Sequence, residues 1–336
     1  MTKKQTTNLF LTSVFAAVAM TAIIWLTAGS LANRFDVVNE KFFNFYYPWQ
    51  TRQPATMAYI TAWVGYAVHN LLVWVVIYLA RRETPKYKEN FRWFNWAMLA
   101  INGVFIILHW VQTQVWYDGL AIAVPEVTSQ GSVILMLVLI LILETPRRGL
   151  ILGHKVKFHK QFLKIIREYH GYIISWGIIY TFWYHPMEDT LGHLAGFLYM
   201  FLLMAQSVLL FNRAHLNKYW KFTLEAFVLI HGTLVAIFQG NNLWPMFAYG
   251  FGAMTVLTQI YGIGLNKSAR RVISGLFVAG VVLFYALNSN LAGLNEVIRI
   301  PVIEYGLVFV FYLVFLGIYS LSKLFKQDKP QPLLAE

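Results

Sequence analysis

The chain has no cysteine, which excludes disulfides, thiolate metal sites, iron–sulfur clusters and a cysteine nucleophile. It also has little charge. Asp, Glu, Lys and Arg make up 12% of its 336 residues, against about 25% in a typical soluble domain. No phosphate-binding glycine loop, G-x-S-x-G elbow or H-E-x-x-H helix occurs, so these signatures of nucleotide, serine-hydrolase and zinc-protease chemistry are missing. Nor do two histidines ever stand side by side, as they do in the clustered boxes of membrane desaturases.

What the chain has instead is apolar length. Its composition is 58% hydrophobic, and a helix needs roughly 20 apolar residues to cross about 30 Å of hydrocarbon. Runs of that kind lie near 8–32, 58–80, 93–117, 123–143, 169–185, 191–211, 222–240, 246–264, 272–289 and 302–322. In lipid every backbone polar group must be paired within its own segment, so runs this long read as helices. The expected fold is all-α. It is a polytopic membrane protein of about ten spans, one transmembrane domain over 1–336, with a short disordered tail over about 323–336.

The cations give an orientation. Of 27 Lys and Arg residues, 23 fall on one set of alternate connections, and 4 (Arg34, Lys41, Arg52 and Arg299) fall on the other. The basic side is expected to be cytoplasmic, with both termini inside a cytoplasmic (inner) membrane. The formal charge of +12 then reads as topology signal and attraction to anionic lipid headgroups at the cytoplasmic face, not as nucleic-acid binding. Lys3 and Lys4 followed by an apolar run resemble a secretory signal, but the run exceeds a signal core and reads as an uncleaved anchor.

Two connections carry patterns of their own. The outer 33–57 stretch holds Phe35, Phe42, Phe43, Phe45, Tyr46, Tyr47 and Trp49, rings that favour the headgroup layer, and is expected to lie along the outer surface. In 146–170, Phe158, Phe162, Ile165 and Ile166 repeat at helical spacing while Lys157, Lys160, Lys164 and Arg167 take other faces. This predicts a short interfacial amphipathic helix with its apolar side in lipid.

Histidine is the polar residue that enters the spans, and an ionisable side chain at membrane depth marks a functional site. At 1.5 Å of rise per residue, His69 and His231 centre on the second and seventh spans, and His109 lies about 6 Å outward in the third. Asn70, Gln112, Glu225, Gln239, Gln206, Gln259 and Glu304 add polar groups at or near these depths. If His69, His109 and His231 form one middle layer, they should lie close together. They would then serve as catalytic or proton-carrying groups, with Glu225 beside them. An outer layer follows from His185 and His193, and an inner one from His170 and His215; His154 and His159 belong to the basic connection.

Neutral imidazole is a ligand for metal and haem iron. His170 and His185 are 15 residues apart, about 22 Å along one helix. With His215, His193 and His231 at neighbouring depths, this spacing resembles the stacked histidine pairs of cytochrome b561 and ferric-reductase-type membrane domains. The resemblance touches three helices and implies haem b held by His170, His185, His193 and His215. His215 sits in a loop beside Arg213 and so departs from that pattern. The stretch His185-Pro186-Met187-Glu188-Asp189-Thr190-Leu191-Gly192-His193 also predicts a mixed site for zinc or non-haem iron from His185, Glu188, Asp189 and His193. The competing reading is a helix start capped by Asp189 or Thr190. The leading expectation from the sequence is a membrane redox protein, with haem b as its candidate cofactor, passing electrons or protons between layers; the alternatives are a transferase on lipid-linked substrates with His231 or His109 as general base, and then a proton-coupled transporter.

Overall fold

The computed structural model describes residues 3–38, 47–83, 86–238, 240 and 242–327. Lys41, Phe42, Phe43, Phe45, Tyr46, Gln239 and the tail beyond 327 lie outside the described residues. The chain is all-α and 80% helical. In order the helices are α1 (Lys3–Ala28), α2 (Leu31–Arg34), α3 (Thr56–Arg82), α4 (Trp93–Trp116), α5 (Glu126–Arg148) and α6 (Lys160–Tyr184). They continue with α7 (Leu191–Val208), α8 (Lys218–Phe238), α9 (Trp244–Leu257), α10 (Lys267–Leu287) and α11 (Glu296–Gln327). Short 3-10 turns occupy 120–122, 213–216, 259–262 and 291–295.

Among the described residues, eight helices are long and apolar enough to cross a membrane: those of α1, α3, α4, α5, α7, α8, α10 and α11. The surface agrees with a lipid solvent. Large apolar side chains point outward along these helices, with Phe15 72%, Leu276 70% and Leu313 65% exposed, where a water-soluble monomer exposes no such continuous apolar belt. Of the ten expected spans, those at α6 and α9 fall outside this group. The first two turns of α6 carry Lys160, Lys164, Arg167 and Glu168. With 14 residues α9 reaches only about 21 Å before the chain tightens into the 259–262 turn.

The packing order sets up the polar interior. α3 lies on α4 and α6, α1 on α7, α7 on α8, and α8 on α9, while α9 and α5 both pack against α11. One apolar core joins α1, α3, α4, α6 and α7 around Phe94, Phe182 and Phe197. A second joins α5, α9 and α11 around Val138, Ile142 and Val308.

The 146–170 stretch departs from expectation. α5 runs through Pro146 to Arg148 and stops because Gly149 adopts φ +81°, where a Cβ would meet the Gly153 backbone at 2.3 Å. After a turn, His159 caps the next helix by accepting from Gln161 N at 3.1 Å, and α6 then runs unbroken to Tyr184. The amphipathic stretch is therefore the first part of α6. Its Phe158 and Phe162 rings pack on Tyr312 and Phe315 of α11, in protein and not in lipid. Arg148, one of the 23 cations counted on the basic side, is 4% exposed.

The outer connection is equally turned inward. β1 (Val37–Val38) and β2 (Gln50–Thr51) form an antiparallel ladder pairing Val37 with Thr51 and Val38 with Gln50. From it a strap runs over the ends of α4, α6 and α7. Asp118 holds the strap, accepting from Thr51 N at 2.9 Å and from the Thr51 hydroxyl. Tyr47 is buried and Trp49 packs on the His193 ring with centroids 4.9 Å apart. Of the described aromatics of this stretch, Phe35 packs on Tyr117, and Tyr47 and Trp49 pack on His185 and His193, so these rings cover protein at the strap end.

Trp183 is the central packing residue of the first core. Fully buried on α6, it rests against Gly65 of α3, where an added Cβ would fall 2.2 Å from its ring. Gly65→Val is expected to destabilise the protein by roughly 1–3 kcal/mol through overpacking. The check is thermal unfolding in detergent, where an unchanged midpoint would contradict this contact.

Candidate functional site

The polar side chains fall into three groups, and the first is closed. His69 Nε2–H donates to Asn102 Oδ1 at 3.1 Å, and its Nδ1 accepts from Trp183 Nε1 at 3.3 Å. Asn102 in turn donates to Met204 O and to Ser207 Oγ. With both nitrogens engaged and the ring stacked on Phe105 at 4.5 Å, His69 ties α3 to α4, α6 and α7. It has no nitrogen free for acid–base work.

The second group lies at the strap end. His109 Nε2 donates to His185 O at 2.9 Å, and its Nδ1 faces Gln112 Oε1 at 3.2 Å. The Gln112 amide is oriented by donation from its Nε2 to Asp118 O at 2.5 Å. His109 is thus offered two acceptors and fills both only when both nitrogens carry hydrogen. His193 is engaged on both sides: Nε2 by the Tyr47 hydroxyl and Nδ1 by Thr190 Oγ1 at 2.6 Å, with Glu188 Oε2 at 3.6 Å. Thr190 also caps α7 by accepting from His193 N. The rings of His185 and His193 stand 5.8 Å apart, nearly perpendicular, as their loop spacing implied.

His231 of α8 enters the same group because Gly196 of α7 leaves a notch. A Cβ at Gly196 would meet the His231 ring at 2.8 Å. The Nδ1 atoms of His231 and His185 are both buried without a hydrogen-bond partner. Burial pushes His185 well below the ordinary imidazole range, and the nearby imidazoles of His193, His231 and His109 push in the same direction. The expected middle layer is therefore only half assembled. Trp183 touches both His69 and His109, but His231 sits on α8, which packs on α7 and α9, and it joins the strap-end histidines instead.

The third group is charged and lies between α5, α8, α9 and α11. Arg148 pairs with Glu225, both buried. Beside them Glu144 accepts from Lys221 at 2.8 Å and from Arg147, and Arg147 also donates to Gly262 O at 2.5 Å. Sequence reading found Glu225 but not its counterion. The clue was the Pro-Arg-Arg-Gly end of the fourth apolar run, which stops an arginine at the depth of a lone carboxylate. It also missed Tyr199 of α7, which lies between the second and third groups. Its ring centroid is 6.2 Å from that of His231, and it is close enough to Glu225 for the carboxylate to act on its phenol electrostatically.

The expected cofactor and metal ligands are placed as follows. His170 and His185 stand at opposite ends of α6. At the basic end His170 donates from Nδ1 to Arg167 O at 2.9 Å. His215 accepts at Nδ1 from Gln206 Nε2 at 3.0 Å, and Trp220 Nε1 fixes that amide by donating to Gln206 Oε1 at 2.7 Å. Burial first, and then the neighbouring His170, lower His215 to about 4. His215 thus carries its hydrogen on Nε2, the nitrogen a haem would need bare. For the mixed metal site, His193 has both nitrogens occupied and Asp189 joins no ligand set. Among the described residues no group of three or more His, Asp or Glu side chains is arranged to hold a metal ion.

These elements define a multi-pass helical membrane protein with a buried, histidine-rich polar interior. Compared with protein-family models, with curated proteins and with solved structures, the chain matches none.

Glu188, in the loop before α7, is raised to about 7, first by burial and further by the charge of Asp189, against the hydrogen bond it accepts from Thr190 N. Its folded-state value lies above its ordinary 4.5, so the fold holds the proton more tightly than the unfolded chain does. Its stabilising contribution is complete below about pH 4.5 and is lost as pH rises through about 7. His185, kept neutral by burial, acts in the opposite sense. Comparing wild type with Glu188→Gln isolates the carboxyl. Over this window the unfolding midpoint of wild type should fall relative to the variant, and parallel curves would contradict the assignment.

Proposed function

We propose that this protein moves protons through the membrane, as the coupling route of a proton-coupled transporter. The observation that supports this reading is a run of titratable side chains alternating between two antiparallel neighbours. Glu225 and His231 lie six residues apart on α8, about 9 Å of rise, and Tyr199 of α7 sits between them. From His231 the run continues to His185 and His193, and ends under the strap at Glu188 and Tyr47. Carboxylate, phenol and imidazole all exchange protons with water, and a bridging water carries a proton across gaps of this size. Intramembrane ionisable residues in such an array mark proton relays. The Nδ1 atoms of His231 and His185, which have no hydrogen-bond partner, are available to take or give a proton in such a relay.

The same residues underlay the redox expectation. Haem ligation has less support, because the Gln206–Trp220 pair holds His215 in the wrong tautomer and His193 is bonded on both nitrogens. A ten-span topology with both termini on the basic side fits the relay, since Glu225 then lies toward the cytoplasm and Glu188 toward the outside.

The test is proton flux into liposomes containing the purified protein, driven by a pH gradient and followed with an enclosed pH-sensitive dye. Tyr199→Phe and His231→Gln are expected to slow flux on the order of a hundredfold, while Asn102→Ala, which disturbs only the closed His69 group, retains it. Wild-type liposomes no leakier than empty ones, or a Tyr199→Phe protein as fast as wild type, would end this reading.

A further inference from the structure

A cavity of about 30 Å³ opens between α5, α8, α9 and α11, with Arg148, Glu225, Gln259 and Glu304 among apolar walls that include Leu141 and Met254. Two polar atoms in this lining have no partner. Glu304, 3% exposed, leaves Oε2 bare, and Arg148, 4% exposed, leaves Nε–H bare. A volume of about 10–15 Å³ suffices for one water, so the cavity admits about two, enough to accept from Arg148 Nε and reach Glu304 Oε2. The other charges nearby are already matched: Arg148 by Glu225, and Glu144 by Lys221 and Arg147. Tyr305, next in sequence, spends its hydroxyl on Thr258 at 2.5 Å. Glu304 is the one carboxyl of this cavity without a counterion. The side-chain oxygens of the lining come from Glu225, Gln259 and Glu304, five in all, and Glu225 is already engaged by Arg148, which leaves fewer than the six or more oxygens a hard metal cation takes. A proton needs only one.

We propose that Glu304 is the proton-loading carboxyl of this cavity. It takes a proton from a hydronium ion in the cavity and returns it on the path that includes Glu225. In the loading step an O–H bond of a hydronium ion breaks and one forms on Oε2, leaving a neutral water in the cavity and a neutral carboxylic acid on α11. The assignment rests on the relay reading, because Glu225 lines the same cavity.

Infrared difference spectra of the full-length protein in lipid, recorded between acidic and alkaline buffer, report the carboxylic-acid C=O band directly and do not depend on flux. With Glu188→Gln as the parent of every variant, so that the strap-end carboxyl raised to about 7 gives no band, the parent should show a pH-dependent acid band that shifts in heavy water. Glu304→Gln should lose it, Glu225→Gln should keep it, and Glu304→Asp, which preserves the group if the amide variant fails to fold, should show it at a displaced frequency. A band that persists in Glu304→Gln overturns the assignment. So does a band that sodium removes at constant pH, since that marks a metal-cation site. Because flux through Tyr199→Phe is measured separately, the relay and the role of Glu304 can fail independently.

Discussion

Inside hydrocarbon a polar side chain has no water to fall back on, so each one must find a partner in the protein or carry the cost of lacking one. That constraint organises the interior of this membrane protein. His69 meets it completely through Asn102 and Trp183, and it fastens four helices together. Arg148 and Glu225 meet it as an ion pair. Such pairs add little to stability, but losing either partner strands a buried charge. Among the described residues eight buried side-chain atoms do not meet it: the proposed path draws on Nδ1 of His185 and of His231, Oε2 of Glu304 and Nε of Arg148, and the others belong to Asn70, Arg92, Tyr117 and Thr233.

The route that these atoms outline is built by helix order. α7 and α8 are sequence neighbours that pack antiparallel, so Tyr199 on one reaches between Glu225 and His231 on the other. Gly196 lets the His231 ring approach α7. At the far end the strap closes over His185 and His193 by its bonds to Asp118, Ala121 and His193. Glu188 lies at the same end, where burial, with the charge of Asp189, raises it to about 7.

Much of the fold was legible in composition and hydropathy. Each apolar run holds a helix, because backbone pairing in lipid allows little else, although α6 already begins at Lys160 and α9 stops at Leu257. The 146–170 stretch misled because its i, i+4 apolar face suits a lipid surface and a helix–helix interface equally, and only tertiary packing on Tyr312 and Phe315 decided between them. In the site, the meeting of His185 with His193 followed from loop spacing. The grouping of His231 did not follow from depth, because residues at one depth still need adjacent helices, and α8 is not adjacent to α3 or α4 in the main packing order. Tyr47 reads from the sequence only as one of the headgroup-layer rings of 33–57, and nothing in the sequence sets Tyr199 apart among the 19 tyrosines.

The central claim is that Glu225, Tyr199, His231 and the strap-end histidines form one connected proton path, with His69 outside it. The most direct measurement is nitrogen magnetic resonance of histidine-labelled protein in lipid, titrated with pH in wild type and in Tyr199→Phe. A connected path predicts that removing the phenol changes the titration of His231 and His185 and leaves the His69 resonance where it was. Unchanged His231 and His185 titrations, or a His69 signal that moves with them, would contradict it.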